Sequence, residues 1–217
     1  MQYCDTPEWR RYIELLRLRP AAFRGGMTEI ITDRDAVNAY YEKTGRRLGV
    51  VYESPYHLLV VDLVRESGGT EPFAYERLLP AVESGAIVAA PVYDGRFVLL
   101  RQFRHAPRES MLAFPRGFGE RGLKAEENLR KELREELGVS EVTDIRRLGS
   151  VAADSGVLGG EAEVYLCRVN NPALQTGHEG IEALELLSER ELTELIRAGE
   201  IKDGFTLAAF ALYLAGK

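Results

Sequence analysis

Residues 117–139 read GFGERGLKAEENLRKELREELGV, and within them KELREELG, residues 131–138, crowds three glutamates together. Glu132, Glu135 and Glu136 stand at i, i+3 and i+4, so at 3.6 residues per turn one helical face carries all three carboxylates. At its three- and four-residue neighbours Glu132 has Asn128, Leu129, Glu135 and Glu136, and Glu136 has Glu132, Leu133, Val139 and Ser140. Neither meets a Lys or Arg, and the 132/136 pair is a like-charge contact that costs about 0.2–0.5 kcal/mol. Arg130, Lys131 and Arg134 point round the helix. A metal ion is the natural missing partner. Leu129, Leu133 and Leu137 form an apolar stripe beside the acidic face, to seat the helix on a sheet. The helix is expected from about Lys124 to Leu137, stopped by Gly138.

Working outward, GAIVAAPVYDGRFVLLRQF reads as a hairpin turning at Asp94-Gly95. Further strands are expected near 145–153, 162–169 and 181–187. Ser188 with Glu191 makes a capping box for a helix that Gly199 ends, and FTLAAFALYLAG is a last buried helix. Upstream, YHLLVVDLV and FAYERLL read as strands. Trp9, Tyr12, Ile13 and Leu16 recur at helical spacing, a second helix runs from Asp33 towards Gly45, and Pro20–Met27 is the candidate linker. The chain is therefore mixed α/β (α+β), with an antiparallel hairpin at its centre.

At 217 residues, 45% hydrophobic and 29% charged, the composition is that of a globular protein with one well-buried core and an appended segment. No apolar run approaches a membrane span, and MQYCDTPEWRR lacks the apolar centre of a signal peptide. Cys4 and Cys167 are too few and too far apart for a disulfide framework, which fits a reducing cytoplasm. The excess of 34 acidic over 28 basic residues argues against a nucleic-acid surface.

Gly117–Gly122, GFGERG, satisfies the dinucleotide pattern G-x-G-x-x-G. That fingerprint needs a strand running straight into its first glycine within a parallel βαβ unit. Here Pro115-Arg116 intervenes, the preceding element is a hairpin, and an acidic helix follows. Carboxylates, a backbone carbonyl and water are instead the hard oxygen ligands that Mg2+ takes beside substrate phosphates.

The stretch resembles the signature of the Nudix hydrolases, G-x5-E-x7-R-E-U-x-E-E-x-G-U with U aliphatic. Gly117 opens the box, Glu132-Leu133 and Glu135-Glu136 fill its acidic positions, and Gly138-Val139 close it, over all 23 positions. Two positions depart, with Leu123 for the first Glu and Lys131 for the Arg. AIVAAPVYDGRFVLLRQFRHA, LAFPRGF and the C-terminal ELLSERELTELIRAGEIKDGFTLAAFALYL resemble the ADP-ribose pyrophosphatase branch. The resemblance implies a Nudix α/β/α sandwich with a mixed sheet over residues 51–217. Residues 1–50 are a helical extension. Strands at 56–79 would exchange with a partner subunit in a homodimer.

The resemblance further implies Mg2+ or Mn2+ held by Glu132, Glu135, Glu136 and the carbonyl of Arg116, with Gly117 in substrate binding. The reaction would be hydrolysis of a nucleoside diphosphate derivative. Arg104 matches a substrate-binding arginine of the branch. Arg101 is a second candidate, although alternation along the strand turns 101 and 104 to opposite faces. Glu179 is the nearest match to the branch's water-activating glutamate, with Glu182 and His178 as rivals; Glu135 is equally suited to pairing with Lys131. His105 reads as structural. Leu123 is expected to pack as an apolar brace beneath the glycine loop, with Lys131 turned to Glu127 or Glu135. Ala113, before the Pro-x-Gly loop, and Ser155, some sixteen residues beyond the box, depart from the ADP-ribose pattern. They leave open a nucleotide sugar as substrate, and the altered box leaves open a weakly catalytic ligand sensor.

Overall fold

The computed structural model describes residues 2–175 and 179–216. They fall into two compact units, one of residues up to 83 with 154–160, the other of 84–153 with 161 onwards.

In the first unit, helix α1 (Pro7–Leu18) starts with proline at its first position, where no backbone N–H is needed. A short strand β1 (Thr28–Ile30) leads to α2 (Arg34–Thr44), which Asp33 caps and Gly45 ends at φ 68°. Strands β2 (Gly49–Glu53), β3 (His57–Glu66) and β4 (Phe73–Pro80) follow. β3 pairs antiparallel with β1, β2 and β4. Its Leu58, Val60 and Leu63 share one core with Trp9, Tyr12 and Leu15. That shared core is why the first unit extends to residue 83, whereas the extension read from sequence ended at 50. The buried Asp62 accepts hydrogen bonds from the Tyr12 hydroxyl and, at 2.6 Å, from Arg77 Nε, so its charge is not left unpaired. The expected linker is a 3-10 turn over Pro20–Phe23, whose Ala22 and Phe23 pack on the same core. Leu78 of β4 exchanges backbone hydrogen bonds with Val157 and Gly159, each 2.8 Å, which ties the 154–160 segment to this unit.

The second unit is built on a mixed sheet. Strands β5 (Ile87–Tyr93) and β6 (Arg96–Arg104) form the expected hairpin. Its turn residues Asp94 and Gly95 lie at φ 48° and 72°, both left-handed as a two-residue primed turn needs. The arms pair only at Val92–Phe97 and Tyr93–Arg96. Beyond that they fork, and the fork holds β7 (Glu109–Ala113) against β6 and β8 (Arg116–Gly117) against β5. Helix α3 (Ala125–Leu137) comes next, then β9 (Val142–Val151), β10 (Ala162–Val169) and β11 (Ile181–Leu187). Helices α4 (Glu189–Arg197) and α5 (Gly204–Ala215) close the unit. Sheet order is β11-β6-β5-β10-β9, with β5 and β10 parallel.

One face of this sheet, with Val98 and Leu100, meets Leu129, Leu133 and Leu137 of α3. The other face, with Phe97 and Leu99, meets Leu192 of α4 and Phe210 of α5. The result is the expected α/β/α sandwich. Among the described residues no helix is long and apolar enough to cross a membrane.

Candidate active site

The leucine stripe decides where the glutamates go. Leu129, Leu133 and Leu137 are fully buried, which turns the adjoining face of α3 to β8, in the fork of the hairpin. Glu127 accepts from the Lys124 amide at 3.0 Å, so it serves the start of the helix. Asn128, fully buried, donates to the carbonyls of Gly85 and Phe118, both at 2.7 Å, and so holds the glycine loop against the helix. The Glu132 side chain lies across Gly117. A Cβ at that glycine would fall 2.3 Å from Glu132 Cδ and 2.4 Å from Cγ, far inside van der Waals contact. Only glycine admits this carboxylate.

Glu136 is 1% exposed. Burial pushes its carboxyl up to about 8; the charges of Glu132 and Glu179 push the same way, while Arg104 and a hydrogen bond from the Arg116 amide oppose them. Its Oε2 has no hydrogen-bond partner. Burial, followed by the like charges of Glu135 and Glu179, also raises Glu132, against the lowering effect of Lys131. Arg104 is lowered by burial and then by the like charge of Arg116, with Asp203, Glu136 and Glu179 opposing. Its Nε is buried and unpartnered. Glu132, Glu136, Glu179 and Arg104 thus share one electrostatic environment, the kind of cluster that marks a functional site.

Arg101 is elsewhere. Its Nε and Nη2 donate to Glu185 at 2.9 and 2.6 Å, on the sheet face that carries Phe97 and Leu99. Strand alternation separates it from Arg104, and no bend brings the two together. Glu135 meets Lys131 at 2.8 Å near the surface, and Glu182 accepts from the Ser110 hydroxyl at 2.7 Å. His105 lies 3.0 Å from Arg108 on an exposed edge, while His178 is outside the described residues. The Arg116 guanidinium pairs with Asp203 at 2.7 Å and sits over the Phe205 ring. Asp203 in turn accepts from both the backbone and the hydroxyl of Thr206.

Residues 83–208 match the family profile described as "NUDIX domain", 126 of the 217 positions. The chain belongs to the NUDIX family. Among solved structures, one described as "Crystal structure of ADP compounds hydrolase" is similar at a TM-score of 0.61 and 17% identity. The likeness covers 76% of this chain and 89% of that one; it bears out the Nudix fold. No curated protein matches the sequence.

In this Nudix box the two departures are bridged in an unexpected way. Lys131 reaches Glu135, as expected, and also Glu120 of the glycine loop at 3.0 Å and Glu132 at 3.5 Å. Lys131 thus makes an ionic tie between the helix and the glycine loop, with its acidic half at Glu120. Leu123, expected as an apolar brace, is half-buried and belongs to none of the three apolar clusters. The Lys131–Glu120 pair takes the bracing role in its place.

Among the described residues no three Asp, Glu, His or Cys side chains converge as a ready metal cage. Mg2+ does not need one, because it keeps several waters and takes one or two carboxylates together with substrate phosphate oxygens. The unpartnered Oε2 of Glu136 and the Glu132 carboxylate seated over Gly117 fit that smaller demand. Both are hard oxygen donors, suited to Mg2+ or Mn2+.

Sequence reasoning missed Glu120, Asn128, Asp203 and Gln102. Glu120 and Asn128 lie inside the box at unspecified positions. Asp203 carried a usable signal, an acidic residue three places before Thr206 at a helix start. Gln102 carried none, since its hydrogen bond goes to a turn residue, Glu179, 77 positions away in sequence.

Proposed function

We propose that this Nudix chain hydrolyses the diphosphate linkage of a nucleoside diphosphate joined to a further moiety, an ADP-ribose or nucleotide-sugar type of substrate, with Mg2+ or Mn2+. The observation that carries the reading is Glu136: a carboxylate 1% exposed, with an oxygen lacking any partner, in the field of Glu132, Glu179 and Arg104. A buried, unsatisfied carboxylate costs stability. A cation would remove the cost.

Glu132 and Glu136 would hold the metal, with the Arg116 carbonyl as a further donor and Glu135 at the rim. When bound, the metal supplies charge neutralisation on the diphosphate and a lowered pKa of attacking water. Arg104 orients the diphosphate, its Nε being free to donate to a phosphate oxygen. Glu179 takes the proton of the attacking water, whose oxygen adds to phosphorus as the bridging P–O bond breaks. The products are a nucleoside monophosphate and the phosphorylated partner moiety. Arg101 is left out of substrate binding because Glu185 already engages it.

The test is a panel of nucleoside diphosphate compounds, with and without Mg2+, with products separated and identified. Metal-dependent release of nucleoside monophosphate is expected. Its absence across ADP-ribose, nucleotide sugars and dinucleotides would refute the reading.

Two coarser expectations belong with this proposal. A homodimer would use the first unit, where β4 is the outer strand and the 154–160 segment meets its edge at Leu78, the rest of that edge being open to pairing with another chain; sedimentation at working concentration checks it. A reducing cytoplasm suits the two free, buried cysteines, and fractionation checks that.

A further inference from the structure

Glu179 stands in an unusual backbone position. It lies at φ 45°, and the next residue, Gly180, lies at φ 74°. A non-glycine residue in the left-handed region persists only when its surroundings hold it there. Two hydrogen bonds do so, both from β6. The Gln102 side-chain amide Nε2 donates to the Glu179 carbonyl at 2.8 Å, and the Phe103 amide donates to the Gly180 carbonyl at 3.0 Å. The strand pairing that follows carries a bulge between Ile181 and Ala183, which re-aims the chain as it enters the sheet.

Gln102 is 3% exposed, and its Oε1 has no partner. A buried amide with half its hydrogen-bonding capacity unused is a poor device for stability alone. What it does satisfy is the one carbonyl that fixes Glu179. It shares a strand face with Arg104, two residues on, so one strand anchors the segment carrying the carboxylate and also presents the arginine.

We propose that Gln102 is a positioning residue for hydrolysis, acting through Glu179. Its amide clamps the Glu179 carbonyl, so that the left-handed turn delivers the carboxylate to the space beside Glu136 and Arg104. This rests on the reading of Glu179 as the group that accepts the water proton. Loss of the clamp lowers kcat and leaves substrate affinity nearly untouched, because Arg104 and the metal-holding glutamates stay where they are.

The experiment is a double-mutant cycle on the full chain with Mg2+. Gln102→Met keeps the side chain's length and burial and removes the donor. Expected are a fall in kcat of about 10–100-fold, the scale of losing a supporting partner at a metal site, a KM within about threefold, and no further fall when Gln102→Met is added to Glu179→Gln. A merely structural Gln102 would lower both backgrounds by the same factor. If Gln102→Met does not fold, Gly180→Ala perturbs the same clamp from the other side. Its Cβ would stand 3.4 Å from the Phe103 carbonyl oxygen at a φ that alanine resists, and the same non-additive loss is expected.

Equal losses in the two backgrounds, an unchanged kcat, or a loss confined to KM would overturn the proposal. Full turnover by Glu179→Gln alone would overturn it too, while leaving the hydrolase reading standing. A wild-type protein without turnover would overturn both.

Discussion

Replacing Gly117 by alanine tests the geometry of the acidic face directly. The added methyl would sit 2.3 Å from Glu132 Cδ and 2.4 Å from its Cγ and Oε1. Ordinary carbon contacts begin near about 3.5 Å, so the carboxylate must retreat by more than about 1 Å. Cγ and Cδ are both hit, so a small twist of the carboxylate does not relieve the clash; the side chain must change rotamer. Crowding of this kind costs about 1–3 kcal/mol in a packed interior. The effect on turnover is larger, because a misplacement of about 1 Å at reacting groups can cost about 100-fold. The variant should therefore lose about two orders of magnitude in kcat/KM, and its half-saturating Mg2+ concentration should rise. The assay is nucleoside monophosphate release titrated with Mg2+, beside thermal unfolding of the metal-free protein. Wild-type turnover at an unchanged Mg2+ requirement would mean that Glu132 does not hold the metal over this glycine.

Glu136→Gln should lower activity by at least about 10–100-fold. The same change should leave the metal-free protein no less stable in urea, because on folding the natural carboxyl, raised by burial beside Glu132 and Glu179, must take up a proton or carry a desolvated charge, and glutamine need do neither; full turnover at limiting Mg2+ contradicts the assignment. Leu123→Ala should cost less than the roughly 2–5 kcal/mol of a buried leucine, since the site is half-exposed; a loss within that range by urea titration would restore the apolar brace. Gly204→Ala should stabilise by about 0.4–1 kcal/mol, because the first residue of α5 has open space and no positive φ; a fall in Tm would contradict this. The pair Leu123→Glu with Lys131→Arg should change turnover little, as Lys131 already reaches Glu120; a jump from no turnover to clear turnover would identify the natural chain as a sensor.

What could be read in advance was local. The limits of α3 follow from a loop glycine, a leucine stripe and Gly138 at φ 64°, and the carboxylate face follows from spacing alone. The Asp94-Gly95 turn and the Ser188–Glu191 box were equally visible, because each is a contract between residues at most three apart. What escaped was held by distant partners. The forked hairpin receives two short strands, of five and two residues, too brief for periodicity to register. The union of α1 with β3 and β4 depends on Asp62 meeting residues 50 positions before it and 15 after it. Arg101 was offered as a ligand because its chemistry suited a phosphate, and only the pairing of β6 with β11 shows that Glu185 claims it.

The distribution of unmet polar groups separates an enzyme from an idle acidic fold. Among the described residues, five buried side-chain atoms lack a hydrogen-bond partner: Asn38 Nδ2, Gln102 Oε1, Arg104 Nε, Asn128 Oδ1 and Glu136 Oε2. Asn38 belongs to the first unit. The other four all lie on α3 or on the β6 face turned towards it, and they comprise a cation, an anion and two amide oxygens. Chance would scatter such atoms, and selection for stability would pair them. Crowding them around one carboxylate helix leaves a set of costs that a diphosphate and a hard cation can relieve together, the guanidinium through phosphate oxygens and the carboxylate through the metal. A ligand sensor would gain from the same relief. It would have no need of a further carboxylate held on an exposed left-handed turn, like in charge to Glu136 and within reach of the field of Arg104. On the proposed mechanism, Glu179 is the feature that a binding site can do without and a hydrolase cannot.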